Sequence, residues 1–173
     1  MPVKMTPEEY YDAFVLGNYN DFLENPSSVM RAFNSAVAAS HLADCYYNYY
    51  KINNPSLLIY YNSLKDFIIH ISQETDNYFT DIRSISNAYK HLYTGINQQF
   101  ARYSTISSAG TIESIVFEDE EIIEVSEEPI DDNISEFVVV YTRKTGEQIS
   151  FNQAIEIVIK FWETTINNTQ IEN

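Results

Sequence analysis

Between Asp81 and Gly95 the chain reads DIRSISNAYKHLYTG, which places an arginine, an asparagine, a lysine and a histidine within nine residues of an otherwise acidic sequence. On a helix, Arg83, Asn87 and His91 are each four apart and form one rising stripe, with Lys90 about 20° from Arg83 around the axis. Such an edge can pair with a carboxylate or hold an anionic group. A second polar set interrupts the apolar stretch RAFNSAVAASHLADCYYNYY. There Asn34, His41 and Asn48 recur every seven residues, and Asp44 lies one turn beyond His41. A carboxylate beside Ala43 and Tyr47 is expected to be partly buried, and then it needs a cation or several donors. If the two helices are neighbours, Asp44 with Lys90 or Arg83 is the natural ion pair, and Asn34, His41, Asp44, Asn87 and Lys90 line a polar cleft. The competing reading is that the pair only fixes how the helices meet; both stay open here.

Other chemistries find less support. The three histidines, 41, 70 and 91, fall on three different helices, and no H-x-x-x-H or E-x-x-H pair stands on one helix. No metal and no cofactor is therefore assigned. His70, between Ile69 and Ile71, reads as a packing residue. Cys45 is the only cysteine and follows Asp44 directly, which raises its pKa and argues against a nucleophile. No phosphate loop, dinucleotide fingerprint or nucleophile elbow is present.

These side chains must be carried by helices, and the helix starts are well marked. Thr6-Pro7-Glu8-Glu9 is a capping box with proline at the first helical position, Asn25-Pro26 and Asn54-Pro55 follow the same logic, and Ser150…Gln153 is a second box. The pattern predicts helices from Pro7 to Glu24, Pro26 to Lys51, Pro55 to Glu74 and Asp76 to Tyr93, with Gly95 as a C-cap. The third and fourth could equally be one long helix. The second is apolar on two sides, as a central helix flanked by neighbours is. Strand patterns follow at Thr111 to Glu118 and Glu121 to Val125, then a strand, a Lys-Thr-Gly turn and a return strand between Ser135 and Phe151. The last helix, Phe151 to Ile166, has Phe151, Ala154, Ile155, Val158, Phe161 and Trp162 on one face and Glu156, Lys160 and Glu163 opposite. The expected fold is α+β in a single domain, 1–173. It comprises an antiparallel bundle of three or four helices (1–95), a small antiparallel sheet (96–150) and a C-terminal amphipathic helix (151–173).

Composition bounds the partners. A net charge of -15 leaves no basic footprint for nucleic acid, so RNA would have to be held by a local patch working against the overall field. Nine acidic residues lie between Glu118 and Asp132, read as the solvated edge of a hairpin. No apolar run is long enough to span a membrane and the N-terminus lacks a signal-peptide pattern, so a soluble cytoplasmic protein is expected. Six tyrosines between Tyr46 and Tyr61 either close one end of the bundle or form a Tyr-rich surface for a homodimer or protein partner.

The segments RAFNSAVAASHLADCYY and DIRSISNAYKH resemble a group of small bacterial uncharacterised proteins. In that group a His-Leu-x-Asp helix precedes an Asn-x-x-Lys-His helix, and a β-hairpin and a helix ending in a Trp follow. The resemblance covers most of the chain and implies no particular activity. A looser similarity is to the HEPN superfamily, whose motif is an Arg, four to six residues, then a His. It implies a metal-independent ribonuclease of a toxin or phage-defence system, with Arg83 and His91 as catalytic residues. Here seven residues separate the two. The leading expectation is a small domain that binds a partner or ligand at the cleft between the second and fourth helices. Whether it is an enzyme stays open.

Overall fold

The computed structural model describes residues 5–90, 104–108, 111–117 and 136–171. Its first helix, α1 (residues 7–24), is continuous but not uniform: α-helical at Pro7–Tyr10, π-helical at Tyr11–Leu16 and α-helical again at Gly17–Glu24. The capping box forms as the sequence predicts. Thr6 Oγ1 accepts the Glu9 amide at 3.2 Å and the Glu9 carboxylate accepts the Thr6 amide at 2.8 Å.

The long central helix α2 is Val29–Asn53, and it starts three residues later than Pro26. Asn25 does not cap it. Its amide closes α1 on Phe22 O (3.0 Å) and its carbonyl accepts Ser28 N (3.1 Å), so Pro26 and Ser27 lie in a turn. Ser28 caps instead, accepting the Arg31 amide at 3.3 Å. A similar shift occurs at the third helix. Pro55–Leu58 forms a short 3-10 turn, and α3 (Leu64–Glu74) begins where Ser63 Oγ accepts the Asp66 amide at 3.2 Å.

The third and fourth helices are separate. Asp76 and Asn77 take left-handed backbone angles, φ 49° and 67°, which two short polar side chains tolerate and a continuing helix does not. Thr75 bridges the break: its hydroxyl donates to Ile71 O at 2.7 Å and accepts the Phe79 amide at 3.2 Å. Helix α4 is described over Tyr78–Lys90. The expected end at Tyr93, the Gly95 cap, His91, the strand at Glu121 to Val125 and the whole acidic run from Glu118 to Asp132 lie outside the described residues.

The sheet is antiparallel in the order β1 (Ile112–Phe117), β2 (Glu136–Thr142), β3 (Gln148–Ser150). Ile112 faces Tyr141 across one pair of strands, and Tyr141 faces Ile149 across the other. The β2–β3 turn is the expected Lys-Thr-Gly hairpin, with Gly146 at φ 88°, where a side chain would be strained. Helix α5, Phe151–Ile171, runs past the expected end at Ile166, because Ile166 and Thr169 are still buried and Thr169 bonds the Tyr46 hydroxyl at 2.8 Å.

The α+β architecture thus follows the sequence pattern, and its centre is Trp162 on α5. The indole is fully buried among Tyr46, Phe67, Phe79 and Phe161, and its N–H donates to the Ala39 carbonyl at 3.1 Å. The SAVAAS run makes this approach possible, since small side chains on α2 leave its backbone within reach. Tyr46, Tyr47 and Tyr50 also turn inward. The Tyr-rich stretch therefore closes the bundle end for the most part, and of its tyrosines only Tyr60, at 87% exposure, stands fully outside, with Ile52 and Ile59 also exposed.

Candidate functional site

Helices α2 and α4 pack side by side, and the ion pair expected from their sequences joins them. Arg83 Nη1 donates to Asp44 Oδ2 at 2.9 Å and Nη2 to Oδ1 at 3.4 Å, a two-pronged contact in which both side chains remain partly exposed. The same guanidinium reaches Ser40 O and Oγ at 3.4 and 3.5 Å. Around this pair opens a cleft of about 400 Å³ lined by Ser40, His41, Asp44, Arg83, Asn87 and Lys90, with Tyr10 and Cys45 at its margin. Among the described residues, the side chains of His41, Asn87 and Lys90 make no hydrogen bond or ion pair.

Asn34 is not in this cleft. It lies seven residues from His41, about 10 Å along α2, in a separate cavity of about 210 Å³ with Phe14, Asn18 and Tyr89. Tyr10 fronts both cavities. It sits just ahead of the π-helical turn of α1, the kind of single-turn irregularity that often accompanies functional sites. Asn48 bonds the Asp44 carbonyl of its own helix at 2.8 Å and stays outside. His70 packs between the rings of Tyr61 and Phe161, centroids 5.2 and 6.4 Å away.

The electrostatics of the cleft follow from its partial shielding and its two cations. The His41 imidazole titrates below its ordinary value, chiefly through burial and then through Lys90, with Asp44 opposing and Arg83 assisting. Burial and the Arg83 charge also lower the Lys90 ammonium, against the pull of Asp44. The Cys45 thiol is raised by burial, then by Glu8 and Asp44, which leaves it protonated and weakly nucleophilic at neutral pH. Among the described residues, no group of three or more His, Cys, Asp or Glu side chains could hold a metal ion.

One charged group that the sequence reading left without a role sits two residues before Arg83. Asp81 is fully buried, and its Oδ2 accepts from Tyr141 Oη (2.7 Å), Arg143 Nε (2.9 Å) and Arg143 Nη2 (2.5 Å). Arg143 also bonds Glu147 at 2.7 Å and lies over the Tyr78 ring. The signal was present: Asp81 falls on the i, i+4, i+7 stripe with Ile85 and Ala88, which is the buried face of α4. Asp81 and Arg83 are about 200° apart around the helix, so α4 is held to the sheet on one side and to α2 on the other. That arrangement sets the rotation at which Asn87 and Lys90 face the cleft.

No family model matches the chain, and neither a curated protein nor a solved structure does so. Among the described residues, no helix is long and apolar enough to cross a membrane.

Proposed function

We propose that this protein binds a ligand or partner at the polar cleft between α2 and α4. The supporting observation is that, among the described residues, the cleft's one carboxylate, Asp44, is already engaged by Arg83, while Lys90, Asn87 and His41 face the same space with no hydrogen bond or ion pair of their side chains. A pair needed only for packing would not require three more polar side chains around it. Cys45 is a free thiol, in keeping with a reducing, cytoplasmic setting.

The test is native mass spectrometry of the purified protein beside Lys90→Glu and Asn87→Leu variants. A bound species retained by the wild type and lost from both folded variants is the expected result. The ribonuclease reading makes a different demand, since Arg83 would have to leave Asp44 to reach a phosphate. Growth arrest on overexpression, relieved by His91→Ala, would decide for that reading and against simple binding.

A further inference from the structure

The polar cleft does not end at α4. On the other side of that helix, between α3 and α4, lies the larger groove of the two, about 670 Å³, and Arg83 and Asn87 line both. Asn77 just before α4, and Thr80, Arg83, Ser84 and Asn87 on it, line the groove, while Arg83, Asn87 and Lys90 line the cleft. The two spaces therefore adjoin across a ridge of two side chains.

Their chemistry differs. The α3 wall of the groove carries Leu64, Ile68 and Ile69, with Ile69 44% exposed, beside Lys65, Ser72 and Gln73. The hydroxyls along it are already satisfied: Ser72 bonds Ile68 O at 2.9 Å and Ser84 bonds Thr80 O at 2.8 Å. The Leu64, Ile68 and Ile69 patch offers apolar contact, and the hydroxyls beside it make little further demand for hydrogen bonds. Among the described residues, the charges lining the two spaces are Lys65, Arg83 and Lys90 against the single carboxylate of Asp44. That is a local cationic excess in a chain of net charge -15. With Asp44 paired to Arg83, Lys90 is, among the described residues, the cleft's cation left for an anionic head, and the carboxylate nearby disfavours a head of higher charge.

We infer that this continuous surface takes an amphiphilic monocarboxylate, its head between Lys90, Asn87 and Arg83 and its hydrocarbon tail along Ile68, Ile69 and Leu64. The assignment rests on the cleft being a binding site and adds the class of ligand.

Hexanoate, octanoate and decanoate, titrated below their micelle concentrations by calorimetry, are the probes. Saturable one-to-one binding is expected, tightening about three- to fourfold per added methylene. Lys90→Met should weaken every member about tenfold or more, and Ile69→Asp, at a half-exposed position, should flatten the chain-length series. Decyltrimethylammonium, with the same tail and the opposite charge, should bind at least about tenfold more weakly than decanoate. Absence of saturable decanoate binding, equal binding of the cationic amphiphile, or an unchanged series in Ile69→Asp would each overturn the inference. If these fail while a co-purifying species is still lost from the Lys90→Glu protein, the cleft stands and the amphiphile falls.

Discussion

Replacing Arg143 with Met should destabilise this protein much more than replacing its partner Asp81 with Asn, although both break the same ion pair. Asp81 is fully buried, and without Arg143 its carboxylate keeps only the Tyr141 hydroxyl at 2.7 Å. An uncompensated buried charge of this kind costs about 3–5 kcal/mol. The reverse change leaves a guanidinium whose side chain is 20% exposed and still bonded to Glu147 at 2.7 Å. Its loss is that of charge-assisted hydrogen bonds partly replaced by water and by the amide oxygen, about 1–2 kcal/mol. In the Asp81→Asn/Arg143→Met double variant no charge remains stranded, so it should recover about 1.5 kcal/mol or more relative to Arg143→Met alone. Urea unfolding followed by Trp162 emission and by circular dichroism reads all three. For a chain of this size, about 3 kcal/mol corresponds to a fall in Tm of roughly 6–12 °C. Equal costs for the two single variants, or strictly additive effects in the double, would refute the claim that burial of the carboxylate governs the pair.

Two further outcomes follow from the same reasoning. Trp162→Phe should cost about 2 kcal/mol, since it leaves both a cavity and an Ala39 carbonyl without its indole donor; unfolding followed by circular dichroism measures it, and a loss under about 0.5 kcal/mol would contradict the packing described. His41, held below its ordinary value of 6.5 in the folded state, takes up its proton at lower pH than the unfolded chain does. Its contribution to stability is present above about 6.5 and declines as pH falls through that value, so His41→Gln should flatten the stability profile between about pH 7 and 5, and parallel wild-type and variant curves there would refute it.

Where one face of an element was apolar and its cap was chemical, the sequence was sufficient. The Thr6 box, the two-sided α2 and the buried face of α5 all appear where periodicity and capping place them. The Asp44–Arg83 pair was legible for the same reason, because a carboxylate on a small-residue helix has few ways to be satisfied. The helix starts at Val29 and Leu64 were not, because Asn-Pro can begin a turn as readily as a helix and the decisive caps, Ser28 and Ser63, follow a few residues later. The α3–α4 break depends on two adjacent polar residues adopting left-handed angles, which no hydrophobic period reports. Asp81 with Arg143 and Asn34 outside the cleft share a cause: wheel geometry gives direction around one axis, whereas partners 62 residues apart, or cavities about two turns further along, depend on how elements meet.

The irregular stretch of α1 at Tyr11–Leu16 carries a consequence for how this molecule tolerates changes in length. A wide turn accommodates about one more residue than a regular one over the same rise. Trimming a residue there would let the rod wind evenly with little net rotation, because about five residues at roughly 100° each turn through about the same angle as six in the wide stretch. Tyr10 would then still border both hollows, and Val15, Phe22 and the rest of the downstream half would keep their seats in the interior. A shortened chain thus folds almost normally and keeps its opening, whereas the same cut in a regular turn would swing everything ahead of it by about 100°.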